Sequence, residues 1–343
     1  MILIKNNIIA YGEVLLRLTP LVHGDLIDQS SALNMSFAGA ESNIISGLSN
    51  LGHNTTMITS LPKNSLGKSA CRFLNSFGVN TDYIKFKDGR IGSYYIEHGT
   101  SIRGGKVIYD RLDSCFCFEI IKETIWSKAF KDSDFYVITG ITPALSNECQ
   151  KNILNSIKIA KSNKVKIVFD LNFRRNLWSG TEALKFISKI INDVDILIGN
   201  VGSVSDIFGF EHKNSNDFSE LESITKSACE FISNKYSFDM IGMTIRNQIH
   251  ATHNQLGGII KVNDKYYFGR SYNLEIIDRL GGGDAFVSGL LHGLINNFKN
   301  DEIISFANAC FALTQTIKGD VNYFDEDDIT DFSSKNYSGH IKR

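Results

Sequence analysis

No two of the six cysteines form a Cys-x-x-Cys unit: Cys71, Cys115, Cys117, Cys149, Cys229 and Cys310 are scattered along the chain. Such spacing points to buried, reduced thiols in a cytosolic protein. No apolar run approaches the length of a membrane span. The stretch Met1–Ala10, interrupted by Lys5, Asn6 and Asn7, is too short for a signal segment. The net charge is -1 and no basic patch stands out, so neither nucleic acid nor an anionic membrane is an expected partner. Repeats and low-complexity linkers are missing too. What remains is a soluble, cytoplasmic expectation for 343 residues, 43% of them hydrophobic. That is long enough for one large α/β domain or two smaller ones.

The first strand is expected over Asn7–Arg17, around Gly12-Glu13. Loose alternation over Leu26–Phe37 ends in Gly39-Ala40-Glu41-Ser42-Asn43, a glycine turn that opens a helix through Leu48 and Leu51. A strand over Thr55–Ser60 and a helix over Ser69–Phe77 follow. Ile91–His98 and Lys106–Arg111 read as a hairpin lying outside the main sheet. From Phe135 the pattern is regular: strand Phe135–Thr139, helix Asn147–Lys161, strand Val165–Asp170, helix Glu182–Ile191, strand Asp195–Ile198. This βαβ repetition argues for a parallel sheet covered on both faces. Helices over Ser203–Phe208 and Asp217–Lys235 and a strand over Met240–Thr244 come next. Ile249–Thr252 with Gly258–Val262 reads as an antiparallel excursion. Asp325–Arg343 is polar and expected to fray in part.

The most informative stretch is Asp278-Arg279-Leu280-Gly281-Gly282-Gly283-Asp284-Ala285-Phe286. Tyr272–Ile277 before it reads as a strand, and Phe286, Leu290, Leu294 and Ile295 recur at helical spacing after it. Glycines at a helix start leave N–H groups uncovered, and the helix dipole favours a negative guest. Asp284 inside such a cradle would repel a phosphate unless its work is chemical, as a general base for a hydroxyl attacking a phosphoryl group. The alternative is an ordinary glycine-rich turn with Asp at a helix start.

In a parallel α/β sheet, ligands sit at the carboxyl ends of the strands. Asp170-Leu171-Asn172-Phe173-Arg174 leaves one such end with Asn172 and Arg174 on the same side. Arg174 suits an acidic or phosphate ligand, or else pairs with Asp170 at the surface. Asn200 follows the next strand, and Asp320 follows the last long helix. Tyr94, Tyr109 and Arg111 lie on the early hairpin. Tyr109 and Arg111 share a face there, which suits a polyol acid or simple half-buried packing. His250-x-x-His253 on a strand would point its rings to opposite faces, so no metal site is expected.

Jointly these residues resemble the ribokinase-like (PfkB-type) carbohydrate kinases, from Gly12 to about Asp320. Gly281-Gly282-Gly283-Asp284-Ala285-Phe286 is the most specific element, supported by the Gly39–Asn43 turn. Gly140-Ile141-Thr142-Pro143-Ala144-Leu145-Ser146, Asp170–Arg174, Tyr109-Asp110-Arg111 and Lys318-Gly319-Asp320 are most similar to the branch that acts on 2-keto-3-deoxygluconate. The resemblance implies a single three-layer α/β/α domain over residues 1–343, its sheet mainly parallel. A small β-sheet lid would come from about 13–38 and 91–111. The implied reaction is ATP-dependent phosphorylation of the sugar acid's 6-hydroxyl. Asp284 would be the base and the amides of Gly281, Gly282 and Gly283 would stabilise the transferring group. Gly39, Ala40, Asn43, Tyr94, Tyr109, Arg111, Arg174, Asp284 and Asp320 would hold the sugar acid, either arginine pairing with its carboxylate. Asn172, Arg174, Asn200, Thr244, Arg246, Asn247, Gly281, Gly283 and Asn308 would line the nucleotide channel. Magnesium would accompany ATP without an assigned protein ligand, and the chain would form a homo-oligomer through its lid.

Two departures stand out. Related kinases carry Asn-x-x-Glu where this chain has Asn200-Val201-Gly202-Ser203, and the glycine-bearing nucleotide loop here reads Thr244-Ile245-Arg246-Asn247-Gln248-Ile249. Other readings are a fructokinase or ribokinase of the same fold, and a non-catalytic sugar- or nucleotide-binding relative. A nicotinamide-dependent dehydrogenase would need its glycine turn near the first strand, and here that turn is C-terminal.

Overall fold

The computed structural model describes residues 7–334. In chain order the elements begin β1 (Asn7–Tyr11), β2 (Leu15–Pro20), β3 (Leu33–Ala38), α1 (Ala40–Asn50), β4 (Asn54–Pro62), α2 (Ser65–Ser76), β5 (Ile84–Lys87), β6 (Ser93–Glu97) and β7 (Lys106–Asp110). The regular α/β part is α3 (Glu123–Phe130), β8 (Phe135–Thr139), α4 (Asn147–Ser162), β9 (Lys166–Asp170), α5 (Gly180–Ile187), β10 (Ile196–Gly199), α6 (Val201–Phe208) and α7 (Phe218–Ser233). It closes with β11 (Met240–Gln248), β12 (His253–Val262), β13 (Lys265–Phe268), β14 (Tyr272–Glu275), α8 (Gly282–Ile295), α9 (Asn300–Thr314) and α10 (Glu326–Ser334).

The large sheet runs β13-β12-β11-β10-β9-β8-β1-β4-β5, with β14 also on β12. From β11 to β5 every pairing is parallel, while β12 pairs antiparallel with β11, β13 and β14. Strand residues alternate between two cores, which is why these strands are apolar on both sides. Ile9, Tyr11, Tyr136, Ile138, Ile167 and Phe169 pack with α3 to α7, whereas Ile8, Ala10, Phe135, Val137 and Val168 pack with α1, α2, α8 and α9. A three-layer sandwich results, as expected. Among the described residues no helix is long and apolar enough to cross a membrane.

Three sequence expectations need correcting. Asn7–Arg17 is not one strand: β1 joins the large sheet and β2 a second, four-stranded sheet ordered β3-β2-β6-β7. The break falls at Gly12, which lies so close to the Glu41 carboxylate that any Cβ would collide with it. Ile249–Thr252 forms the turn between β11 and β12 rather than a strand, because β11 continues to Gln248. Tyr272–Ile277 is strand only to Glu275, and it lies antiparallel on β12. The glycine cradle is therefore entered from an antiparallel edge. The C-terminal stretch is helical over α10, with Ile329 buried. Residues 335–343, like the first six, lie outside the described residues.

The small sheet is the expected lid, with β6 and β7 forming the expected hairpin. Leu15, Ala38, Tyr94 and Ile96 form its inner apolar patch, against which Leu280 of the glycine loop packs. A charged latch adds to that contact. Arg17 is only 3% exposed and forms ion pairs with Asp278 and Asp320, both buried. The Tyr94 hydroxyl donates to the other Asp320 oxygen at 2.9 Å. One lid guanidinium thus answers two core carboxylates on either side of the cradle.

Removing one partner from a buried ion network commonly costs about 3–5 kcal/mol. Arg17→Met is expected to lose stability on this scale, and the loss should depend on pH. Burial raises the pKa of Asp320 and Arg17 pulls it back, so the variant's Asp320 pKa climbs further. Ionising a carboxyl whose folded pKa is raised opposes folding, so the variant's deficit grows as pH rises. Urea unfolding of both proteins at pH 5 and pH 8 checks this, and equal deficits would contradict the role given to Arg17.

Candidate active site

Two cavities meet at the start of α8. The larger, of about 430 Å³, lies at the carboxyl ends of β9, β10 and β11 and is lined by Asp170, Asn172, Asn200, Thr244, Arg246, Arg279 and the three cradle glycines. The smaller, of about 80 Å³, lies beneath the lid and is lined by Glu13, Gly39, Ala40, Asn43, Tyr94, Tyr109, Arg111 and Asp320. Arg174, Leu280, Gly281 and Asp284 line both. The junction therefore holds one carboxylate, one guanidinium and a glycine turn.

The turn has a local cause. Gly281 caps α8 in the left-handed conformation at φ 71°, and the Asp320 backbone lies where its Cβ would stand. Only glycine fits such a close approach without strain. A Cβ on Gly283 would meet nothing within 4 Å, so that backbone faces open space. Uncovered N–H groups at this helix start favour an anion.

Asp284 sits in the first turn of α8, 9% exposed. Among the described residues its one side-chain hydrogen-bond partner is the Asn43 amide, which donates at 2.7 Å. Asn43 is in turn fixed by α1, where its carbonyl oxygen accepts the Gly39 N–H at 3.2 Å. Burial pushes the Asp284 carboxyl well above its ordinary range, and the charges of Asp170 and Asp320 add to the rise, while Asn43 and Arg174 oppose it. A carboxylate so placed is a stronger base than one in water. Asp170, at the end of β9, is likewise pushed up to about 6 by burial, against the Asn172 N–H and the charge of Arg174. Asn172 itself adopts φ 32°, letting its N–H turn back to the Asp170 carboxyl at 3.0 Å.

The two expected carboxylate-binding arginines differ. Arg111 is buried, with Nε and Nη2 both donating to Glu13 Oε2 at 2.9 and 2.6 Å. Its charge already has a partner, so it serves the cavity by fixing Glu13 and by stacking 5.8 Å from the Tyr109 ring. Arg174 is exposed at the junction, where it donates to its neighbour's carbonyl, Phe173 O, at 3.3 Å. Of the two, Arg174 is the one left for an acidic ligand.

Asn200 caps α6: its side chain accepts the Ser203 N–H at 2.9 Å, and its own N–H donates to Ser203 Oγ at 3.1 Å. The serine that replaces the usual glutamate thus completes a reciprocal cap, and this wall carries no carboxylate. Asn247 and Asn308 are not brought to the site. Asn247 follows Arg246 on β11, so its side chain leaves by the opposite face and donates to Asn216 O at 2.8 Å. Asn308 is fully buried and bonds Gly258 O and Arg270 O. The ground for excluding a metal at the histidine pair also needs correcting. His250 lies in the β11–β12 turn, and the ligand atoms of His250, His253 and Glu275 come within 4.8 Å of one another. His253 meets Glu275 as a cross-strand pair at 2.7 Å, outside both cavities.

Sequence reasoning missed Arg17, Glu13 and Arg279. The signal for the first two was a charged residue within an apolar strand-like run, Val14-Leu15-Leu16-Arg17-Leu18 and Gly12-Glu13. Their partners lie 303 and 98 positions away.

Comparisons with known proteins give likeness over most of the chain. The model of the pfkB family of carbohydrate kinases matches residues 5–233. A 2-dehydro-3-deoxygalactonokinase of Haloferax volcanii is 26% identical over 94% of this chain and 95% of its own. The crystal structure of a 2-dehydro-3-deoxygluconokinase of Thermotoga maritima superposes with a TM-score of 0.90 at 32% identity, covering 96% of this chain and 99% of that one. A putative 2-keto-3-deoxygluconate kinase of Enterococcus faecalis gives 0.88 at 25% identity, covering 99% of each. Cradle, lid and paired cavities thus stand within a likeness that runs the length of the chain, which belongs to the pfkB family of carbohydrate kinases and is a phosphotransferase acting on an alcohol group.

Proposed function

We propose that this kinase uses ATP to phosphorylate the 6-hydroxyl of a 2-keto-3-deoxy sugar acid, of the gluconate or galactonate series, in the cytoplasm. The observation that carries the reading is the buried carboxyl of Asp284, placed where the two cavities join. The sugar acid occupies the cavity beneath the lid, its carboxylate facing Arg174, while a neutral sugar leaves that charge unanswered. ATP occupies the larger cavity with its phosphates toward the cradle. The hydroxyl oxygen attacks the γ-phosphorus, its proton passes to Asp284, and the bond to the β-phosphate oxygen breaks to release ADP. The amides of Gly281 to Gly283 stabilise the charge on the moving phosphoryl group. The lid excludes water that would otherwise consume the ATP.

Magnesium fits in a limited way. Asp170 is the carboxyl in the nucleotide cavity's wall other than Asp284, a hard oxygen donor of the kind the ion takes alongside phosphates and water. Asp170 would hold the ion there with ATP, and the ion would supply neutralisation of phosphate charge.

The lid's outer face suits a second copy of this chain. Met35, Leu18, Tyr95 and Ile108 stand in register across all four strands, and Met35 and Ile108 are 55% and 38% exposed. Sedimentation of the protein should show an oligomer that Met35→Glu with Ile108→Glu reduces to a monomer. A wild-type monomer at micromolar concentration would refute the lid interface.

A panel of 2-keto-3-deoxygluconate, 2-keto-3-deoxygalactonate, fructose and ribose, assayed for ATP consumption, tests the substrate class. Turnover of the keto-deoxy acids is expected, and turnover of fructose or ribose alone would remove the sugar-acid reading. Asp284→Asn should lower kcat by about 10²-fold or more with nucleotide still bound. Near-normal turnover would make Asp284 structural.

A further inference from the structure

Among the described residues two arginines are buried with their counter-charges, and a third, the half-buried Arg246, lines the larger cavity. Arg17 pairs with Asp278 and Asp320, and Arg111 with Glu13. Arg246 does not. Its Nη1 donates to the Gln315 amide oxygen at 2.9 Å and lies 3.4 Å from that of Asn254, and its guanidinium stands 5.5 Å from the Phe311 ring centre. Each of these partners is neutral. Among the described residues no carboxylate pairs with it. A second arginine worsens the imbalance: Arg279 lines the same cavity, and its Nη2 donates to the neutral Gln248 side chain at 3.1 Å. Burial, together with the Arg279 charge, pushes the Arg246 pKa down.

Two like charges held close together without an anion are costly to a protein, and enclosed charges are ordinarily paired. Asp170 and Asp284 line the same cavity, but among the described residues neither pairs with Arg246 or Arg279, and Asn200 and Ser203 cap each other. The glycine turn that follows Arg279 adds uncovered backbone N–H groups facing the same space.

We propose that Arg246 and Arg279 form a clamp for the polyphosphate chain of a nucleoside di- or triphosphate, one that binds the chain even when no divalent cation is present. Two guanidinium forks can each take a pair of phosphate oxygens. The clamp supplies fixed positive charge where this chain has Ser203 rather than a carboxylate, so nucleotide affinity depends less on a protein-held metal. Arg174, on the far side of the junction, stays available to the sugar acid. The inference rests on the kinase reading only in taking a nucleotide as the phosphate donor.

The test is calorimetric titration of the full-length protein in EDTA with ADP, inorganic tripolyphosphate and adenosine. The wild type is expected to bind ADP and tripolyphosphate without metal, and more weakly as salt is raised. Charge-assisted bonds of this kind contribute enough that losing one weakens binding by about tenfold or more. Arg246→Gln and Arg279→Gln should each weaken ADP and tripolyphosphate by at least that factor while leaving adenosine unchanged. Thermal unfolding supplies a second measurement. Without ligand, Arg246→Gln should melt no lower than the wild type, because it removes an unpaired charge, yet it should lose the stabilisation that tripolyphosphate gives the wild type. Should Arg246→Gln fail to fold, the more exposed Arg279→Gln carries the test. No metal-free binding by the wild type, or equal ADP affinity in a folded variant, would overturn the clamp. Those results leave the kinase reading standing if turnover persists. Conversely, metal-free ADP binding in a protein that transfers no phosphate would keep the clamp and remove the kinase reading.

Discussion

Buried negative charge around one glycine turn is the constraint on which this structure depends. Asp170, Asp278, Asp284 and Asp320 all converge on the start of α8, and all four are buried. In low dielectric such a gathering is affordable only if some of the charge is answered. Arg17 answers Asp278 and Asp320 from the lid. Among the described residues Asp284 receives one side-chain amide, from Asn43, and burial raises its carboxyl well above the ordinary range. The lid therefore does two things. It roofs the smaller cavity, and it neutralises the carboxylates that would otherwise raise the Asp284 pKa further still.

The arginines divide along the same line. Arg17 and Arg111 are spent on internal carboxylates and hold the lid's inner face in place. Arg174, Arg246 and Arg279 face the cavities without an acidic partner among the described residues, so their charge is available to ligands. Fold and chemistry are linked by this allocation: the positive charge that the fold does not use lies where anionic groups would have to meet.

Local features were legible in the sequence. Gly281 to Asp284 announces its turn because the left-handed glycine, the helix start and the acid all fall within four residues. The regular strands from Phe135 were legible because burial on both faces makes them apolar throughout. The break in Asn7–Arg17 was not, since it depends on Gly12 packing against Glu41 across a different element. Arg111 was expected to meet the substrate, and only the fold reveals that Glu13 occupies it. Asn308 failed for the same reason, because a buried asparagine satisfied by two backbone carbonyls looks in sequence like any polar residue on a helix. His250 was placed on a strand, but β11 ends two residues before it. In each case the deciding partner is distant in sequence, or a turn falls where periodicity carries no signal.

The central claim is that Asp284 is held as an unusually basic carboxyl at the meeting point of two cavities. Its titration can be observed directly in protein whose aspartate carboxyl carbons carry ¹³C, with the Asp284 signal assigned by its disappearance in Asp284→Asn. The account predicts a midpoint clearly above the ordinary aspartate value of about 3.9. A midpoint at or below that value would contradict it.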